Sequence, residues 1–204
     1  MDLLIDLHYL PCIEYFVELT QHETIYLEAC ENFQKQSYRN RCEILTANKI
    51  DILTVPVIKS NSKILIKEVR IDYSQPWQKI HWRAIQSAYG KAPYFEYFAD
   101  YFKNLYDKKT HFLWDLNLEA LTLCLKLLQV KKTILFTSEY NKEAEIHVKE
   151  IEDKRSFFHP KARIESQVKY SQVFGREFAP NMSIIDLVLN EGPNGKNLVK
   201  KANK

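Results

Sequence analysis

The sequence predicts an α/β protein with a mixed sheet, flanking helices and a mainly helical central subdomain, all within one domain over residues 1–204. Two patterns lead to this prediction. Short strand-like segments alternate with helical periodicity near the amino terminus, and three amphipathic helices follow one another between residues 72 and 130. With 46% hydrophobic residues among 204, the chain can bury a core of its own.

The opening of the chain has the pattern of a Rossmann-like strand–helix–strand unit. Residues 3–7 form a short, mostly apolar run that predicts a strand, and Pro11 suits the first turn of a helix that runs to about residue 19. Residues 24–27 predict a second strand. Helices are expected to cover the faces of the resulting sheet.

Three further strand-like segments come before the central helices. They cover residues 38–45, 51–58 and 64–71, and turn-like residues separate them. This hairpin-like arrangement predicts that the sheet is mixed. Pro56 lies inside the second segment and indicates an edge strand or a bend out of the sheet.

The central helices are predicted from apolar spacing and from residues typical of helix ends. Ser74 is expected to cap a helix that ends at Gly90, and Pro93 is expected to open the next helix. A third helix covers residues 112–130, where charged and amide side chains interrupt the apolar run. Because such side chains are costly in lipid, this segment is predicted to be a buried helix, and no membrane span is expected.

The last third of the chain is predicted to return to the sheet and then end on a helix. Residues 133–137 predict a strand, and the charged residues 141–155 predict a surface excursion. Ser183 is expected to cap a short helix that stops at Gly192. The lysine-rich residues 196–204 predict a flexible, solvated basic tail.

Charge, cysteine usage and motif content argue against several classes of protein. The net charge is only +3 and the basic residues are balanced locally by acids, so no nucleic-acid partner is expected. The four cysteines form no CxxC pair and the chain begins without a leader-like segment, which predicts a reducing, cytoplasmic location. Gly-rich phosphate loops and His/Cys metal patterns are not found in the sequence, so neither a cofactor nor a metal is predicted.

The stretch FQKQSYRNRC, residues 33–42, contains three cations and no acid. If it is extended, Lys35, Arg39 and Arg41 share one face, and the two guanidinium forks can hold a phosphate or a pair of carboxylates. The alternative is that the arginines form ordinary surface ion pairs with nearby glutamates. The glutamates in question are Glu28, Glu31 and Glu43.

Five segments of the chain occur in a distinctive order: HYLPCIEYF, ENFQKQSYRNRC, LTVPV, WQKIHWRAIQSAYGKAPYFEYF and SIIDLVLNEGP. Together they resemble the WbqC-like family of bacterial proteins, and the resemblance spans most of the chain. Its most specific part is the aromatic-proline opening followed by a lysine, an Arg-Asn-Arg element and then Val-Pro-Val.

The resemblance implies a role in bacterial surface-polysaccharide biosynthesis. Its members are associated with group transfer, and the expected activity is transfer of an aminoacyl, acyl or similar group to an amino sugar or nucleotide-linked sugar. The expected partner is an anionic small molecule, either a nucleotide sugar or an activated acyl donor. The alternative is a non-catalytic protein of the same pathway that binds a sugar nucleotide or a partner protein.

Seven residues are candidates for the site. The expected substrate-binding residues are Lys35, Arg39, Asn40, Arg41 and Tyr9. His81 and His8 are the candidate catalytic bases, since an imidazole beside a cationic pocket can accept a proton from an amine or a hydroxyl. The alternative for His81 is a packed residue on an apolar stripe, and the alternative for His8 is a side chain that satisfies a buried carbonyl.

Overall fold

The protein, described here from a computed structural model, has six strands and six α-helices over residues 1–59, 63–141, 151–162, 164–166, 168–175 and 177–202. The strands are β1 (Asp2–Asp6), β2 (Thr24–Glu28), β3 (Arg41–Leu45), β4 (Ile50–Thr54), β5 (Thr133–Phe136) and β6 (Ile151–Asp153). The helices are α1 (Ile13–Gln21), α2 (Trp77–Tyr89), α3 (Phe95–Asp107), α4 (Leu113–Leu127), α5 (Ile184–Glu191) and α6 (Gly195–Lys201). This architecture confirms the predicted α/β class.

Four of the strands form a parallel sheet in the order β5-β2-β1-β6. Leu3 of β1 pairs with Ile25 of β2, and Ile25 pairs with Ile134 of β5. Parallel neighbours need a crossover connection, and α1 supplies the one between β1 and β2. The Rossmann-like opening is therefore confirmed, with β1 starting one residue earlier than predicted.

The antiparallel pair β3–β4 forms a separate two-stranded sheet, in which Arg41 lies opposite Thr54. The strand predicted over residues 38–45 is shorter at its start, because residues 35–40 form turns. The strand predicted over 51–58 ends at Thr54, two residues before Pro56, as the missing amide of a proline favours.

The strand predicted over residues 64–71 is wrong. A short 3₁₀ helix, Ile66–Glu68, takes its place, flanked by single bridging residues. Ile66 and Val69 are both buried and lie three residues apart, a spacing that a 3₁₀ turn brings to one face and an extended strand does not. The segment packs against α4, so tertiary burial decides its conformation.

Helices α2, α3 and α4 succeed one another within the region predicted to be helical. Gly90 caps the end of α2 as predicted, but Ser74 does not cap its start: the helix begins at Trp77, with Pro76 in the capping position. Trp77 and His81 are buried on the predicted stripe, whereas Ile80 is exposed. No helix in the part of the chain that the structure describes has the length and apolar content to cross a membrane.

The predicted surface excursion over residues 141–155 is wrong at its end. Residues 142–150 lie outside the described residues, but Ile151–Asp153 form β6, which joins the parallel sheet beside β1. The weak apolar periodicity there misled the prediction, because a three-residue strand carries too little pattern to detect.

The basic tail predicted over residues 196–204 is largely a helix instead. Ser183 caps α5 as predicted, with its side chain accepting a hydrogen bond from the Ile185 amide. Past Gly192 the chain forms α6, which packs against α1 with Val199 fully buried. Residues 203–204 lie outside the described residues.

Candidate functional site at the carboxyl edge of the parallel sheet

Charged and polar residues that follow the parallel strands meet at one edge of the sheet. Glu28, the last residue of β2, accepts hydrogen bonds from the Thr137 hydroxyl after β5, at 2.6 Å, and from the Cys30 amide, at 2.9 Å. Its second oxygen accepts from Arg155, which follows β6, at 2.9 Å. Three strands are therefore linked through one buried carboxylate at the edge where open α/β sheets bind ligands.

Asp6, the last residue of β1, also has three polar partners at this edge. Its carboxylate accepts hydrogen bonds from His8 Nε2 at 2.6 Å and from the Ser156 amide at 2.7 Å, and Arg39 Nη2 lies at 3.1 Å. Burial alone would raise the pKa of Asp6, but His8, Arg39 and the Ser156 amide together hold it well below its ordinary value. Asp6 is consequently ionised even though it is fully buried.

His8 lies beside this carboxylate with its ring in a fixed orientation. Because an ionised carboxylate only accepts, Nε2 must carry the proton shared with Asp6. Within the described part of the chain, Nδ1 has no hydrogen-bond partner. The rings of Tyr15 and Tyr38 pack against the imidazole, with centroids at 5.1 and 5.8 Å. An imidazole held by a carboxylate, with its other nitrogen unengaged, is the arrangement of a general base.

Arg39 is committed to acids inside the protein. Its Nε and Nη2 donate to the two oxygens of Glu31 at 2.7 and 2.5 Å, and both side chains are buried. Burial raises the pKa of Glu31, an effect that Arg39 opposes and that Asp6 and Glu28 reinforce. An ion pair with Glu31 was one of the alternatives from the sequence, although it is internal rather than on the surface.

The shared cationic face predicted for Lys35, Arg39 and Arg41 is wrong, because residues 35–40 form turns and their side chains do not alternate. Lys35 is exposed, whereas Arg39 is buried. Arg41 lies on β3; burial raises the pKa of the neighbouring Glu43, and Arg41 only opposes that effect. Asn40 donates to the Val55 carbonyl at 2.9 Å and so ties the start of β3 to the residue after β4.

A cavity of about 400 Å³ opens beside the carboxyl edge. Its lining combines amides, a hydroxyl, aromatic rings and charged groups of both signs. The lining residues are Cys30, Glu31, Asn32, Phe33, Gln34, Lys63, Tyr140, Arg155 and Ser156. His8 is not among them; Ser156 and Glu31 connect the cavity to Asp6 and Arg39. The volume is in the range of small-ligand sites.

Tyr9 and His81 belong to a different, internal network. The Nδ1 atom of His81 lies 3.0 Å from the Tyr9 hydroxyl. Tyr106 lies 2.5 Å from the same hydroxyl. Burial lowers the pKa of His81 to about 4, which keeps this imidazole neutral. These contacts favour the packed alternative for His81.

The structure therefore brings together residues that the sequence analysis did not single out as a site. His8 and Arg39 meet through Asp6, whereas Lys35, Asn40, Arg41, Tyr9 and His81 lie elsewhere. The residues that were missed are Asp6, Glu28, Thr137, Arg155 and Ser156. Asp6 and Glu28 lie within one residue of the ends of predicted strands, and the rule that ligands bind at the carboxyl ends of parallel strands would have identified them. Arg155 and Ser156 follow β6, which was not predicted.

The fold and this edge define an α/β protein with a buried acid–histidine–arginine cluster next to a small-molecule-sized cavity. The WbqC-like protein family model matches residues 7–161 and 157–198. The chain belongs to that family.

The chain is also similar to a mycobacterial protein over part of its length. The chain is 30% identical over 105 residues to the "Uncharacterized protein Rv1507c" of Mycobacterium tuberculosis. That match covers 51% of this chain and 45% of the mycobacterial protein, so the chain spans about half the length of the relative. No solved structure matches this chain.

Proposed function

We propose that the protein transfers an acyl, aminoacyl or similar group to an amino sugar or nucleotide-linked sugar in bacterial surface-polysaccharide assembly. Membership of the WbqC-like family supports the pathway, through the role that the sequence resemblance implies. The observation that carries the reaction class is the Asp6–His8 pair, in which the carboxylate orients the imidazole and leaves Nδ1 without a partner among the described residues.

In this proposal His8 removes the proton from the acceptor. The acceptor nitrogen or oxygen attacks the carbonyl carbon of the donor, Nδ1 takes the acceptor's proton, and the donor's leaving group departs with its bonding electrons. Asp6 stabilises the imidazolium that forms, and Arg39 and the Ser156 amide keep Asp6 ionised and in place. Because His8 is fully buried, substrate binding has to open a path from Ser156 to the imidazole.

The cavity supplies groups that suit a sugar with an anionic substituent. The amides of Asn32 and Gln34 can bond hydroxyls, and the rings of Phe33 and Tyr140 can pack against a sugar ring. Lys63 and Arg155 contribute two cations to the cavity lining. Arg155 also pairs with Glu28 and Asp153, so Lys63 is the cation better placed for the anionic part of a nucleotide sugar or an activated donor. In this proposal the cavity binds the substrate, in place of the cationic face that the sequence predicted.

The second candidate function is a non-catalytic protein of the same pathway that binds a sugar nucleotide or a partner. The complete burial of His8 favours it, since a binding module needs the cavity but no accessible base. The reducing cytoplasm is the proposed location in both cases, and the four cysteines are free thiols, as such a compartment favours.

Ligand binding is tested by thermal shift with a panel of nucleotide-linked amino sugars, acyl-coenzyme A thioesters and aminoacyl donors. We expect at least one ligand to raise Tm in wild type and to lose its effect in Asn32→Ala and Arg155→Gln. Gln86→Ala, an exposed amide on α2, is the matched control and should respond as wild type does. Equal shifts in wild type and the two cavity variants would remove the cavity from the proposal.

Turnover separates the two candidates. With the donor and acceptor found in the panel, we expect His8→Gln to lower kcat by about 100-fold or more while leaving binding in place. His81→Gln should retain turnover if it remains folded, because its imidazole lies in the Tyr9 network. Binding without turnover for any donor–acceptor combination would support the non-catalytic alternative.

A further inference from the structure

Three metal-ligating side chains meet near the amino ends of β1 and β2, at the edge away from the candidate site. Glu18 lies on the last turn of α1, His22 follows that helix, and Glu152 lies on β6 beside Leu3. One ligand atom from each lies within 4.8 Å of the other two. The set thus combines one imidazole with two carboxylates from separate elements of the fold.

The donor atoms have separations that suit one small cation. His22 Nε2 lies 3.2 Å from Glu18 Oε1 and 3.6 Å from Glu152 Oε2. Two ligands that share a tetrahedral Zn²⁺ at its usual bond lengths are roughly 3.3 Å apart. The two observed distances lie on either side of that value, so modest adjustment places both carboxylates and the imidazole on one ion.

The proton on His22 is fixed by a backbone group. Nδ1 lies 3.1 Å from the Met1 carbonyl, which can only accept, so Nδ1 carries the proton and donates it. The other nitrogen, Nε2, then directs its lone pair toward two carboxylates. The carboxylates repel that lone pair unless a second proton or a cation lies between them and Nε2. Metal-bound histidines usually donate their other N–H to such a carbonyl or to a carboxylate.

Lys154 orients the two glutamates in a similar way. Its Nζ lies 2.8 Å from Glu152 Oε1 and 3.7 Å from Glu18 Oε2, the oxygens that do not face His22. Each carboxylate therefore has one oxygen held by the lysine and the other directed at the imidazole. All three candidate ligands have an outer partner, as groups preorganised around a metal do.

We propose that His22, Glu18 and Glu152 bind a divalent transition-metal ion of the zinc type, with an open fourth position for water. The imidazole favours such an ion over Mg²⁺ or Ca²⁺, which prefer all-oxygen sites. The bound ion links the end of α1 to β6, so it stabilises the amino edge of the sheet. This inference is independent of the proposed transferase activity.

The test uses the full chain, freed of metal with a chelator and titrated with Co²⁺ and Zn²⁺. We expect one equivalent of Co²⁺ with visible absorption typical of four or five ligands, and a rise in Tm with Zn²⁺. The Glu152 side chain is partly exposed, so the fold should tolerate Glu152→Gln. This variant is expected to weaken metal binding at least about 10-fold. His22→Gln should abolish the Co²⁺ absorption.

His111→Gln is the matched control, because His111 is an exposed imidazole outside the cluster, and it should bind as wild type does. Loss of binding in that control, equal affinity in wild type and Glu152→Gln, or no stoichiometric binding in wild type would each overturn the proposal. Mg²⁺ that bound as tightly as Zn²⁺ would overturn the choice of metal. None of these outcomes depends on turnover, so failure here leaves the proposed function intact.

Discussion

The guanidinium of Arg39 holds the carboxylate of Glu31 through two parallel hydrogen bonds, of 2.7 Å from Nε and 2.5 Å from Nη2. Both side chains are buried, and the same Nη2 lies 3.1 Å from Asp6. A paired geometry of this kind is the strongest that arginine forms with a carboxylate. Arg39 therefore joins two acids inside the protein, and through Asp6 it fixes the orientation of His8.

Removal of this arginine should destabilise the protein strongly. Arg39→Met leaves Glu31 and Asp6 without their shared cation, and we expect a loss of about 3–5 kcal/mol in the free energy of unfolding, measured with urea. The double variant Arg39→Met/Glu31→Met should cost less than the two single variants added together, since it leaves one fewer buried charge unpaired. Lys35→Met is the control and should change stability by about 0.5 kcal/mol or less, because Lys35 is exposed. Equal effects at the two positions would contradict the buried cluster.

The network around His81 should contribute to stability through the Tyr106 hydroxyl. Tyr106→Phe removes the group that lies 2.5 Å from the Tyr9 hydroxyl and leaves a buried polar atom short of a partner. We expect a loss of about 1–3 kcal/mol in the free energy of unfolding. Tyr97→Phe removes a hydroxyl from an exposed ring, and its effect should be close to zero. If both changes cost the same, the network is not formed in solution.

Stability should depend on pH because of His81. Its pKa is lowered by burial to about 4 in the folded protein, whereas an unfolded histidine has a pKa near 6.5. Between these values the unfolded state binds the proton and the folded state does not, so stability falls as the pH drops from about 6.5 to 4. The difference corresponds to about 3 kcal/mol over that window.

A comparison of wild type with His81→Gln separates the contribution of His81 to the pH dependence from that of acids that titrate in a similar pH range. The raised pKa values of Glu31 and Asp186 act in the opposite direction in this window, because those groups gain protons on folding. The variant should retain their contribution and lose that of His81. Parallel pH profiles of unfolding free energy for the two proteins would show that His81 is not buried as a neutral group.

The terminal helix α6 should be part of the cooperative fold. Val199→Ala removes a fully buried side chain that helps to pack α6 against α1, and we expect a loss of about 2 kcal/mol in unfolding free energy. Lys200→Ala, its exposed neighbour, should have little effect. A negligible effect of Val199→Ala would instead support the prediction, made from the lysine content, that this segment is a flexible tail.

Elements long enough to show an apolar period or a capping residue were predictable, and elements of three residues were not. The apolar stripes of α2 to α4 and the Ser183 cap of α5 are local signals, and the structure confirms them. The strand β6 and the 3₁₀ turn at Ile66 extend over three residues each, too few to show a period. The sequence of α6 is rich in lysine and contains a single buried valine. Its composition therefore predicted a solvated tail, although the valine packs in the core.

The sequence by itself determined the α/β class, the strand–helix–strand opening and the family, because each depends on local periodicity or on ordered motifs. Only the tertiary structure decided the site. Asp6, the Glu31–Arg39 pair and Ser156 are distant along the chain, and it is the parallel pairing of β1 with β2 and β6 that brings them to one edge. Whether an arginine faces solvent or a buried glutamate depends on which acids the fold places beside it. Arg39, from the ten residues that predict a cationic surface, therefore forms an internal ion pair with Glu31.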